Sequence, residues 1–225
     1  MASDAGARTA DRQVVSDLFT SQVPDSSTGR TFAVDFFDPA DPAAMPIPAR
    51  KVVIELHPGA RFDTNAVPQC KATDAELLIL GPSACPAASQ VGTNEVLIDH
   101  SFPPPGPRYT ISDVKIFNDA DALILLGESR GAPFIPRTLI RAPVSENRLE
   151  ISAGFIPGTG PFGGARKRER ADFPARDNFL TTPRKCPKSG FWTNHATYTY
   201  ADGISQTSFT RSPCVKKHRR QSDDD

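Results

Sequence analysis

Along much of this chain large apolar residues recur at every second position for a few residues and then stop at proline, glycine, asparagine or aspartate. Phe32, Val34 and Phe36 alternate with Ala33 and Asp35, and that period of two places the three large side chains on one face of a strand. Asp38-Pro39 and the prolines up to Pro48 end it. Residues 50–56 repeat the pattern, with Val52, Ile54 and Leu56 on one face and Lys51, Val53 and Glu55 on the other, up to His57-Pro58-Gly59. Further strands are predicted at 94–100, 109–117, 122–128, 137–142, 148–155, 191–200 and 204–211. Three hairpin turns join them in pairs: Asn118-Asp119-Ala120-Asp121, Ser145-Glu146-Asn147 and Ala201-Asp202-Gly203. Residues 165–173 read as an edge strand, because Arg166-Lys167-Arg168-Glu169-Arg170 would discourage pairing with another chain.

One helix is predicted. Thr73-Asp74-Ala75-Glu76 is a capping box, and Gly81-Pro82 is its stop. A helix of one or two turns is unstable alone, so packing of Leu77, Leu78 and Leu80 has to hold it. Roughly ten strands joined by hairpins, with so little helix, define an all-β antiparallel sandwich or a curved, partly closed barrel. No internal repeat is evident, which excludes a solenoid or propeller.

Composition narrows this further. The 225 residues fit a single domain over 31–214, preceded by a flexible segment 1–30 and followed by a charged tail 215–225. With 22 prolines and 15 glycines the chain excludes coiled coils and helical bundles. Lys and Arg total 26, as do Asp and Glu, so bulk charge selects neither nucleic acid nor an anionic membrane. The basic run Lys216-Lys217-His218-Arg219-Arg220 is followed by three aspartates and reads as a solvated tail. No apolar run approaches the roughly 18 residues of a transmembrane helix.

The four cysteines form two local pairs, Cys70 with Cys85 and Cys186 with Cys214. Zinc sites need two ligands within a few residues, and no such spacing exists here. Of the three possible connectivities, the local one closes two loops, each bridge contributing about 3 kcal/mol in the loop-entropy model. Cys70–Cys85 would then clasp the short helix. Structural disulfides belong to oxidising compartments and argue for export. The first thirty residues contain no apolar core of an export leader, which argues against it. A chain that starts after its leader reconciles the two.

Searches for chemistry return little. There is no Gly-x-Ser-x-Gly, His-Glu-x-x-His, P-loop or Gly-x-Gly-x-x-Gly pattern, and no cofactor or metal is implied. His57 lies near Glu55 and Asp63, His100 follows Asp99, and His195 is in mid-strand; a hydrolytic site assembled from such residues has no support in spacing. Asp119 and Asp121 read as turn residues rather than calcium ligands. Trp192 is either a core anchor beside the Cys186–Cys214 bridge or part of a binding face. The apolar residues in loops, Phe102, Phe134, Ile135, Phe155, Ile156 and Phe162, define the candidate recognition rim, with Phe134, Phe155 and Phe162 as its binding residues.

Several segments carry a resemblance: Phe36-Phe37-Asp38-Pro39, Leu56-His57-Pro58-Gly59-Ala60-Arg61-Phe62-Asp63, Pro68-Gln69-Cys70, the stretch from Cys85 to Gly92, the stretch from Phe179 to Trp192, Asp202-Gly203 and Ser212-Pro213-Cys214. Over about residues 30–214 the chain resembles a group of uncharacterised exported β-rich proteins of actinobacteria. The resemblance implies an extracytoplasmic β domain with paired cysteines and no assigned activity. The expected function is therefore a non-catalytic exported or cell-surface β module with a structural or protein-interaction role. The alternative is a carrier of an apolar small molecule or lipid in a β-sheet cavity.

Overall fold

A computed structural model describes residues 10–130, 136–159 and 161–215. Its strands are β1 (Gln13–Phe19), β2 (Arg30–Phe36), β3 (Ala49–Glu55), β4 (Arg61–Phe62), β5 (Gln90–Asp99), β6 (Tyr109–Asn118) and β7 (Ala122–Ser129). They continue with β8 (Thr138–Ser145), β9 (Arg148–Ser152), β10 (Ala165–Phe173), β11 (Leu180–Thr181), β12 (Phe191–Tyr200) and β13 (Ser205–Pro213). The fold is all-β. Eleven strands form one antiparallel sheet in the order β1-β2-β10-β5-β6-β7-β8-β9-β3-β12-β13, and β4 pairs with β11 separately.

The large sheet curls until its two edges meet, giving a nearly closed barrel. Side chains bridge the seam. The Arg12 amide donates to Gln206 Oε1 at 3.1 Å, Gln13 Nε2 to Ser208 Oγ at 3.1 Å, and the Phe19 amide to Ser212 Oγ at 3.0 Å. The two edge strands thus pack against each other through side chains, with no backbone ladder between them.

Two expectations from sequence are corrected here. Residues 1–30 read as a flexible segment, but β1 lies within them and forms one side of the seam. Residues 165–173 are not an edge: β10 lies between β2 and β5. Its charges are absorbed by neighbouring strands, with Arg168 on Glu95 at 3.2 Å and Arg170 on Asp35 at 2.7 Å. Inside that face Arg166 reaches Glu169 at 2.6 Å.

Helix α1 (Asp74–Leu80) starts with the expected capping box: the Glu76 amide donates to Thr73 Oγ1 and the Thr73 amide to Glu76 Oε2. These Thr73 bonds hold the Glu76 carboxyl below its usual range. Cys70–Cys85 is formed and packs with Leu77, Phe117, Ile124 and Leu126 in a small second core. Leu78 and Leu80, expected to pack, are 44% and 55% exposed. The end of the helix is held differently: Arg137 Nη1 donates to the carbonyls of Leu78 and Ile79, both at 2.8 Å.

The main core fills the barrel. Phe19 meets Trp192 edge-on at 5.8 Å between ring centres, and Phe36 meets Tyr198 at 5.6 Å. Trp192 is fully buried, which makes it a core anchor. The interior also carries polar groups. Arg30 and Asp17 pair at 2.6 Å, each side chain 1% exposed, with the guanidinium over the rings of Phe32 and Phe173. Burial, with Glu169 nearby, pushes the Tyr198 phenol well above its ordinary range.

Candidate functional site

The described residues form a cleft of about 650 Å³ where three loops meet outside the barrel end of β3, within the size range of small-ligand sites. Its lining comes from His57 to Arg61, from Glu146 and Asn147, and from Pro183 to Pro187. After β3 the chain turns through His57-Pro58-Gly59, where Gly59 takes φ +91°, and the Ala60 amide closes the turn on the His57 carbonyl at 2.9 Å. That left-handed geometry is disfavoured for side chains with a Cβ. The β8–β9 turn ties to this loop through the Leu56 amide to the Asn147 carbonyl, Asn147 Nδ2 back to the Leu56 carbonyl at 2.7 Å, and the Phe62 amide to the Glu146 carbonyl at 2.7 Å. The third wall is anchored by the Cys186–Cys214 disulfide and by Trp192 Nε1 donating to the Lys185 carbonyl at 3.1 Å.

His57 is held from two sides. Its amide donates to Asn194 Oδ1 at 2.9 Å, and the Thr193 amide donates to its Nδ1 at 3.2 Å. Nδ1 therefore keeps its lone pair, and the neutral ring carries its proton on Nε2. Partial burial, with His195 close by, lowers the His57 pKa from its ordinary value, so the ring is neutral at pH 7. Because the folded value lies below the unfolded one, the associated stability is complete above about pH 6.5 and is lost as pH falls through the folded value. Nitrogen-15 NMR of the imidazole at pH 7 should show the Nε2–H tautomer; an Nδ1–H pattern would break this assignment.

The charges in the cleft are unbalanced. Arg61, Arg184 and Lys185 line it, and their side chains have no ion pair or hydrogen bond among the described residues. Glu146 is the one carboxylate in the lining. Many other arginines sit on carboxylates, as Arg130 does on Asp113 and Glu95, Arg141 on Asp74 and Asp119, and Arg148 on Glu55 and Glu150. Arg50 and Arg176 instead bond backbone carbonyls, and the Arg211 side chain on β13 has no polar partner among the described residues.

His195 lies close to His57, but His100 is engaged elsewhere. His100 is buried, with Nδ1 on the Pro157 carbonyl at 2.6 Å and Nε2 on Thr110 Oγ1 at 2.8 Å, and it pins the loop after β9. His195 stacks edge-on with Phe209 at 4.7 Å. Asp63, expected near His57, caps the Asn65 amide, and Glu55 is taken by Arg148. Asp119 pairs with Arg141 at 2.6 Å, and no group of three or more His, Cys, Asp or Glu among the described residues is placed to hold a metal.

The described rim residues gather around the loop after β9 and not at the cleft. Phe134 and Ile135 lie outside the described residues, as does the basic run 216–220. Phe155 is 68% exposed, under the Arg50 guanidinium at 5.6 Å. Its ring packs on Gly163, where φ is +76° and an added Cβ would sit 2.5 Å from Phe155 Cε2. Phe162 is half-buried, and its carbonyl accepts from Arg50 Nη2. Phe102 stacks on His100 at 5.0 Å. None of these lines the cleft, and sequence reading had singled out neither Arg61, Arg184, Lys185 nor Asn147 as binding residues. The available signal was the pairing of two proline turns, His57-Pro58-Gly59 and Pro183 to Pro187, with cations beside a cysteine.

No protein-family model matches the chain, and no curated protein matches its sequence. No helix among the described residues is long and apolar enough to cross a membrane.

Proposed function

We propose that the protein is a non-catalytic, exported or cell-surface β module that engages a partner through the cleft beside the Cys186–Cys214 bridge. The observation that carries this reading is the cleft itself: a concave site with three walls fixed by backbone hydrogen bonds and a disulfide. Both cysteine pairs are bridged, which fits an oxidising compartment outside the cytoplasm. The packed aromatic pairs along the barrel interior favour this reading over a carrier of an apolar ligand, since the Trp192 and Tyr198 rings occupy the space a lipid would need.

A photo-crosslinking residue in place of Lys185, on the cleft, and separately in place of Val14, on the outer face of β1, tests this on intact producing cells. The expected result is a surface-accessible adduct from position 185 and none from position 14. Equal yields from both positions, or no adduct from either, would overturn the reading.

A further inference from the structure

We infer that the cleft takes an oxyanion: a ligand whose carboxylate or phosphate groups are held by Arg61, Arg184 and Lys185. The inference rests on the reading of the cleft as the binding site and adds the chemistry of what it binds. Three observations carry it. First, three cations face one carboxylate, Glu146, in a molecule whose total charge is balanced at 26 against 26. Second, these three side chains are without polar partners among the described residues, while on the barrel Arg141, Arg148, Arg168 and Arg170 are each committed to carboxylates. A guanidinium already paired has little to offer a ligand; one held free at a concave site presents its planar fork of donors to carboxylate or phosphate oxygens. Third, His57 has its Nδ1 occupied by the Thr193 amide, so the donor left to it is Nε2–H, a neutral group suited to an acceptor oxygen.

The walls differ in what they fix. Arg61 stands on β4, whose pairing with β11 sets its backbone, and Arg184 and Lys185 precede the disulfide-bonded Cys186. Cations presented from two chain segments can grip two oxyanion groups of one ligand or two sides of a single group.

Titration of the full chain with citrate and, separately, with inorganic phosphate, followed by amide NMR at low ionic strength, tests the inference. Both probes should shift amides of residues 57, 59–61, 146–147 and 184–186, and affinity should fall steeply with added salt. The probe that binds more tightly distinguishes a carboxylate from a phosphate ligand. Arg61→Gln together with Arg184→Gln should weaken binding by about tenfold or more. Glu146→Gln should strengthen it, a gain that a misfolded protein would not give. Unchanged affinity in the double arginine variant, or shifts confined to other surfaces, would overturn the oxyanion assignment. If site-specific crosslinking from position 185 persisted in that case, the cleft would still be the binding site, for a partner of other chemistry.

Discussion

Asp17→Ala should destabilise the barrel by about 3–5 kcal/mol, because it leaves the Arg30 guanidinium buried without its counter-charge. The pair is 2.6 Å apart and each side chain is 1% exposed, so water cannot replace the lost carboxylate. The remaining contacts of Arg30, the faces of Phe32 and Phe173, do not compensate a desolvated cation. Asp17 Oδ2 and Arg30 Nη2 have no hydrogen-bond partner even in the intact pair, so the arrangement is already short of full satisfaction. For that reason the double change Asp17→Leu with Arg30→Met should recover most of the loss, since it removes both charges and fills the same space with apolar atoms. Urea unfolding measures both: the single variant should lower the midpoint by about 1–2 M, the double by much less. A single variant within about 1 kcal/mol of the parent, or a double no better than the single, would show that the pair is not desolvated as its burial implies.

The same pair explains why β1 escaped sequence reading. Its inward positions are Gln13, Val15, Asp17 and Phe19, so two of the four are polar and the period-two contrast disappears. β2 and β3 were legible because Phe32, Val34, Phe36, Val52 and Ile54 keep that contrast. The capping box was equally legible, being a local hydrogen-bond pattern within four residues. β10 was misplaced for another reason. Its charged outer face resembles an edge until Glu95 and Asp35 are brought beside it, and those partners lie 73 and 135 residues away in sequence. The exposed Leu78 and Leu80 follow the same logic: Gly81 ends their helix as expected, but the group that takes its last carbonyls is Arg137, far along the chain. The cleft combines segments around residues 57, 146 and 183, so its unbalanced charge becomes visible only once the barrel is closed. What was legible there was the disulfide that anchors one wall.

That disulfide and its counterpart should separate stability from binding. In the loop-entropy model the 28-residue separation of Cys186–Cys214 corresponds to about 3.5 kcal/mol and the 15-residue separation of Cys70–Cys85 to about 3 kcal/mol. Thermal or urea unfolding of the two double-serine variants should therefore show similar losses. Their positions differ completely. Cys70 and Cys85 belong to the small core with Leu77, Phe117 and Ile124 and line no part of the cleft. Cys186 lines the cleft, follows Arg184 and Lys185 directly, and holds that wall against the end of β13. Without the bridge the two cations keep, among the described residues, the Trp192 bond to the Lys185 carbonyl and the Asp25 bond to the Pro183 carbonyl as anchors. Ordering them on a ligand then costs conformational entropy at each binding event, about 0.5–1.5 kcal/mol per immobilised side chain. Cys186→Ser with Cys214→Ser should accordingly weaken citrate binding by about tenfold at a temperature where the variant is fully folded, while Cys70→Ser with Cys85→Ser leaves it unchanged. Equal weakening in both variants would mean that binding follows global stability, and that the bridge does not preorganise the wall.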